Sequence, residues 1–173
     1  TAWDASTGRA GVIVAVLDTG IRDAHPDLAR AASGGRLLPG YDFVSADSDG
    51  TFISANDGDG RDADASDPGD WVTTAEAALP IFDDNCDAQD ESSWHGTRVA
   101  GLIGARSNNN TGIAGLTWRP WILPVRVLGK CGGYDSAILG GMRWARGMTG
   151  TGVPAHPNPA RVLNLRSRSE GRC

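Results

Sequence analysis

The stretch Gly11-Val-Ile-Val-Ala-Val-Leu17, closed by Asp18-Thr-Gly20, decides the fold. It is an unbroken apolar run rich in β-branched residues. A strand that alternates apolar and polar residues has one wet face; this one is covered on both faces, as in a parallel sheet. Asp18 falls at its C-terminal end, where sheets of this kind bind ligands. Working outward, His25 to Ala29 reads as a short helical turn and Leu37 to Val44 as a second strand. Gly96 to Ala105 is apolar at helical spacing, with Val99, Leu102 and Ile103 on one side. Ile122 to Leu128 is another buried strand despite Pro124. Asp135 is placed to cap a helix over Ser136 to Met148, whose apolar side carries Ile138, Leu139, Met142 and Trp144. Arg161 to Leu165 closes the series. The alternation predicts an α/β fold, a doubly wound parallel sheet.

Composition narrows the function classes. The chain has 173 residues and a net charge of −5, enough for one domain or part of a larger one and unsuited to nonspecific nucleic-acid binding. No apolar run approaches the roughly 20 residues of a membrane span, and no signal peptide is visible. The charge is unevenly spread. Residues 42–91 hold 13 Asp and 2 Glu against one Arg, a net −14, and the remainder carries +9. An acidic insert at about 45–93 therefore sits inside a basic body. Its Gly- and Asp-rich centre, Asn56 to Asp70, has too few apolar residues to form a core element. It is either a solvated loop or one organised by a cation. Three cysteines, Cys86, Cys131 and Cys173, exclude a four-cysteine zinc site and a CxxC redox motif. An odd count leaves one thiol free, pairs it outside the chain, or leaves all three reduced.

No Rossmann fingerprint, Walker loop or HExxH motif is present. What stands in order instead is Val16-Leu-Asp18-Thr-Gly-Ile21, His25-Pro-Asp27, His95-Gly-Thr-Arg-Val-Ala-Gly101 and Gly112-Ile-Ala-Gly115. Together these resemble the subtilisin-like serine proteases, from about Gly8 to Leu165 apart from the insert. Val125 to Tyr134 is similar to the secreted bacterial branch that carries an insert and disulfides. The resemblance implies acyl transfer by an Asp-His-Ser triad on protein or peptide substrates. Asp18 would orient the imidazole of His95, and His95 would serve as general base and then general acid. It also implies export to the extracellular space, and no membrane or nucleic-acid partner.

The resemblance is partial. The family nucleophile lies in a Gly-Thr-Ser-Met-Ala motif, and no serine of this chain has that context. The oxyanion Asn is also absent, and Asn164 matches a supporting Asn one strand earlier. Arg166-Ser-Arg-Ser169 stands where the family has Ser-Leu-Gly-Gly. These departures imply the N-terminal part of one peptidase domain, residues 1–173, with the sheet incomplete at the C-terminus. The other half of the domain is then a partner, and this stretch alone is inactive. The alternatives are a degenerate, inactive relative or a calcium-binding module. The resemblance further implies a Cys86–Cys131 disulfide, with Cys173 pairing elsewhere. It implies calcium at Asp27 and Asn109. The dense carboxylates of the insert, Asp62, Asp64, Asp67 and Asp70, offer a second candidate site, since a cation would relieve their mutual repulsion. Gly132 and Gly133 resemble the edge segment that pairs with an extended substrate.

Overall fold

A computed structural model describes residues 2–82, 86–150 and 153–165. Its elements in chain order are α1 (Ala2–Ala5), β1 (Ile13–Asp18), β2 (Tyr41–Asp42), α2 (Thr74–Ala77), α3 (His95–Gly104), β3 (Trp121–Arg126), α4 (Asp135–Ala145) and β4 (Val162–Leu165). The four strands form one parallel sheet in the order β2-β3-β1-β4. β1 lies inside it, with Asp18 opposite Arg126 of β3 and Leu17 opposite Leu165 of β4. Central placement is what its unbroken apolar sequence requires.

Successive side chains of β1 enter different cores. Ala15 and Leu17 pack with Phe43, Leu123, Val125, Ile138 and Trp144 on the α4 side. Val16 packs with Ile21, Leu28, Leu37, Ala100 and Ile122 on the α3 side. Helices on both faces make the sheet doubly wound, as the alternation predicts. Burying Leu17 and Val16 contributes roughly 1.5–3 kcal/mol each.

Several expectations are corrected. The strand expected over Leu37 to Val44 contracts to Tyr41–Asp42, with Leu37 making only isolated bridges. Pro39 has no N–H to offer a ladder, and Gly40 is pressed so close to β3 that a Cβ would lie 2.3 Å from the Pro124 carbonyl oxygen. Helix α4 ends at Ala145, where Gly147 turns the chain at φ +79°, and not at Met148. Its N-cap is Tyr134, and Asp135 is its first residue. Leu102 and Leu139, read as part of the apolar sides of their helices, are 65% and 58% exposed. In both cases helical spacing identified a side with more apolar residues than the sheet covers.

The insert is folded. Thr73 and Glu76 form a reciprocal capping box on α2. Val72, Phe82 and Cys86 make a small third core, flanked by Ile53 and Leu79. Even the segment over 56–70 packs on the sheet: Ala65 and Asp67 are buried, and the Ala65 carbonyl accepts from Ile21 N–H at 3.1 Å. Residue composition missed this because the organising cation is a guanidinium of β3. Arg126, itself buried, donates to Asp42, to Asp57 and to the Ala55 carbonyl. Cys86 and Cys131 are joined by a disulfide with a Cα–Cα distance of 5.4 Å, closing 45 residues of chain. In the chain-entropy account that closure is worth on the order of 4 kcal/mol.

Candidate active site

Two chain segments meet at the C-terminal end of the sheet. Asp18 is the last residue of β1 and is 1% exposed. Its main-chain carbonyl accepts from Val127 and Leu128 N–H, at 2.9 and 3.2 Å, which fixes the strand end against the segment leaving β3. One carboxylate oxygen, Oδ1, accepts from Thr19 N–H at 2.8 Å. His95 is the first residue of α3 and follows Trp94, whose backbone is left-handed at φ 48°. That kink turns the chain sharply into the helix.

The approach of the two segments demands Gly96. A Cβ at this position would lie 2.2 Å from the Gly20 carbonyl oxygen and 3.1 Å from the Asp18 Cβ. With the hydrogen there instead, α3 starts directly above Asp18. His95 Nδ1 then lies 2.8 Å from both carboxylate oxygens of Asp18. A buried carboxylate in this contact requires Nδ1 to carry a proton and donate it. The lone pair is thereby left on Nε2 of a side chain that remains 33% exposed. A buried acid fixing the tautomer of a half-exposed imidazole is equipped to accept a proton from a nucleophile and return it.

Among the described residues, no serine hydroxyl bonds His95 Nε2. Ser92 Oγ accepts from Asp70 N–H, and Ser93 Oγ donates to Asp70 at 2.6 Å. Ser136 is exposed on α4, and Asn164 sits in β4 opposite Val16. Arg166 to Ser169 and Cys173 lie outside the described residues.

Residues that sequence reasoning did not connect to the site surround the pair. Thr19 Oγ1 accepts from Gly96 N–H at 3.1 Å and donates to Asp67 Oδ2 at 2.7 Å. Ser93 Oγ accepts from His95 N–H at 3.2 Å. Asp67 is buried, which pushes its carboxyl above the usual range against the bonds from Thr19 and Gly69. At β2, burial raises Asp42 to about 7 despite Arg126, whose guanidinium also serves Asp57. Only the nearness of Thr19 to Asp18 and of Ser93 to His95 was visible in the sequence.

Gly132 and Gly133 form the turn after β3, where the Gly132 carbonyl accepts from Gly129 N–H at 2.8 Å. Gly133 is exposed, and Cys131, which precedes Gly132, ties the turn to the insert. The candidate calcium ligands divide. Asp27 is buried with no cationic partner among the described residues; Asn109 Nδ2 and Ile113 N–H donate to its two oxygens at 2.7 and 3.0 Å. A buried carboxylate without a counter-charge, facing an Asn-rich loop, suits a hard cation bound through oxygens. The insert acids do not converge. Asp62 and Asp64 make successive Asx turns, Asp67 faces Thr19, and Asp70 faces Ser93. Among the described residues no three His, Cys, Asp or Glu side chains are grouped to hold a metal.

Comparison with known proteins agrees with this geometry. The family model described as the Subtilase family matches residues 9–167. An extracellular protease of Xanthomonas campestris pathovar campestris is 46% identical over 99% of this chain and 27% of its own length. An extracellular basic protease of Dichelobacter nodosus is 44% identical over 99% of this chain and 26% of its own. The chain thus spans about a quarter of the length of these relatives. A solved protease structure from Pseudoalteromonas arctica superposes with a TM-score of 0.78 at 49% identity, covering 95% of this chain and 43% of that one. With its parallel α/β sheet, its Asp-His pair at the strand ends and a family match over most of its residues, the chain belongs to the subtilase family.

Proposed function

We propose that this chain is part of a secreted serine endopeptidase and supplies two members of its Asp-His-Ser triad. The observation that carries the proposal is the contact of buried Asp18 with His95 Nδ1 at 2.8 Å, which leaves Nε2 facing outward. Asp18 holds the imidazole in one tautomer and stabilises the imidazolium. His95 takes the proton of a serine hydroxyl as that oxygen attacks the peptide carbonyl, then returns it to the leaving amine. The serine belongs to a segment that completes the domain; no serine of this chain stands in a Gly-Thr-Ser-Met-Ala context, and none among the described residues bonds Nε2.

The substrates are proteins or peptides in extended form, pairing with the Gly132–Gly133 edge by main-chain hydrogen bonds. Secretion is supported by two relatives named extracellular proteases and by the disulfide. Calcium, held by Asp27, Asn109 and oxygens of the adjoining loop, stabilises the domain and takes no part in proton transfer.

Kinetics of the full-length protein test this. Asp18→Asn lowers kcat for a peptide substrate by roughly 10^4-fold with little change in KM, as expected when the tautomer is lost. The 173-residue stretch alone shows no hydrolysis. An Asp18→Asn protein of wild-type activity, or labelling of the isolated stretch by a serine-directed phosphonate, overturns the proposal.

A further inference from the structure

The acidic insert reaches the Asp18–His95 pair from two sides. From one side, Asp67 Oδ1 is fixed by Gly69 N–H at 2.9 Å and Oδ2 accepts from Thr19 Oγ1 at 2.7 Å. That bond orients the hydroxyl so that its lone pair receives Gly96 N–H at 3.1 Å. Gly96 follows His95, and Thr19 follows Asp18, so one hydroxyl links the residues next to both members of the pair. From the other side, Asp70 accepts from both the N–H and the hydroxyl of Ser93, and Ser93 Oγ accepts from His95 N–H at 3.2 Å. The first two N–H groups of α3 have no partners within the helix. Here they are held by Thr19 and Ser93, and each of those hydroxyls is aimed by an insert carboxylate.

The carboxylates are themselves fixed. Asn56 Nδ2 donates to the Gly69 carbonyl at 2.9 Å, and a Cβ on Gly20 would lie 2.8 Å from Asp67 N, so the insert presses on the turn after Asp18. Asp42 N–H donates to the Asp62 carbonyl at 2.9 Å, and Arg126, opposite Asp18 in the sheet, holds Asp57. A loop serving only as solvated decoration has no reason to bury Asp67 at this point.

We propose that Asp67 and Asp70 are positioning residues. Through Thr19 and Ser93 they set the pose of the first turn of α3, and so the aim of His95 at Asp18. The inference rests on the catalytic roles proposed above for Asp18 and His95.

The test uses the full-length protein as wild type and as Asp67→Ala, Asp67→Asn, Thr19→Val and Asp70→Ala, with the exposed Asp49→Asn in the same insert as control. Two readouts are taken. The first is solvent exchange of the His95 Nδ1 proton by NMR, which needs no substrate. The second is kcat and KM, normalised to folded protein. Asp67→Ala and Thr19→Val speed exchange at least tenfold and lower kcat at least tenfold, with KM within twofold. Asp70→Ala acts in the same direction. Asp67→Asn keeps an acceptor for Gly69 and a donor facing Thr19 Oγ1, and restores both readouts to within threefold of wild type. Thr19→Val decides the matter if Asp67→Ala does not fold. Unchanged exchange in Thr19→Val and in the folded Asp variants overturns the inference and makes the insert merely structural. A wild-type protein that cleaves no peptide sinks the protease proposal instead, and the exchange measurement still decides this one.

Discussion

Arg126 shows how one side chain can organise fifty residues and still leave a titratable strain behind. It is buried at the end of β3 with Asp42 and Asp57 on the same guanidinium nitrogen. A buried cation without partners costs several kcal/mol, and two partners for one charge overcorrect it. Burial therefore pushes Asp42 from 3.8 to about 7, with Asp57 adding to the rise against Arg126. For an acid whose folded value is raised, the folded state holds the proton more tightly. The stability this contributes is complete below about pH 4 and is lost as pH rises through about 7. Relative to Asp42→Asn, the wild type loses up to about 1.4 kcal/mol of unfolding free energy per pH unit across that window. Urea titrations at a series of pH values measure this; a wild type that gains on the variant as pH rises contradicts it. Asp18 and His95 could be found in the sequence because the motifs that hold them stand in an order that resembles the subtilisin-like serine proteases, and Gly96 beside His95 is the glycine the close approach requires. The roles of Arg126, Thr19 and Ser93 could not, since the carboxylates that hold their side chains lie 23 or more residues away and no local pattern marks them.

At the level of elements, strands β1 and β3 and helices α3 and α4 were legible from apolar spacing, because each buries its pattern against the sheet. β2 was overestimated, since Pro39 and Gly40 interrupt pairing that their apolar neighbours suggest. The loop after α3 is the element with the most direct test. It places Asn109 and Ile113 N–H on buried Asp27, and Gly112 so close that a Cβ would meet Asp27 Oδ2 at 2.0 Å. A cation at this point binds the folded state only, and at a hundredfold excess over its dissociation constant contributes about 2.7 kcal/mol. Chelation then lowers the Tm of the wild type by on the order of 5 °C. In Asp27→Asn, chelator makes no difference. Identical melting of the wild type with and without calcium removes the site.

Across the whole molecule, several large apolar side chains among the described residues are exposed, and three of them lie near α3. Leu102 on the outer side of α3 is 65% exposed and Leu116 is 68% exposed, joined by a main-chain bond of 2.8 Å; Trp3 donates its indole N–H to the Leu116 carbonyl. Ile113 adjoins them. A contiguous apolar patch of this kind favours association. The double variant Leu102→Ser, Leu116→Ser therefore reduces self-association of the 173-residue chain in sedimentation, with a stability change of about 0.5 kcal/mol or less. Equal self-association of variant and parent would show that the patch is inert. By itself the sequence determined the parallel α/β sheet, the positions of its main helices and the two residues that meet at the strand ends. Strand burial and helical spacing leave periodic marks, and the two residues stand in motifs whose order resembles a known family. Only the tertiary structure decided that the acidic insert is a folded clamp on those residues, and that Leu102 and Leu139 face outward. Ion pairing and coverage depend on which distant segments arrive beside a side chain, and no spacing along the chain records that.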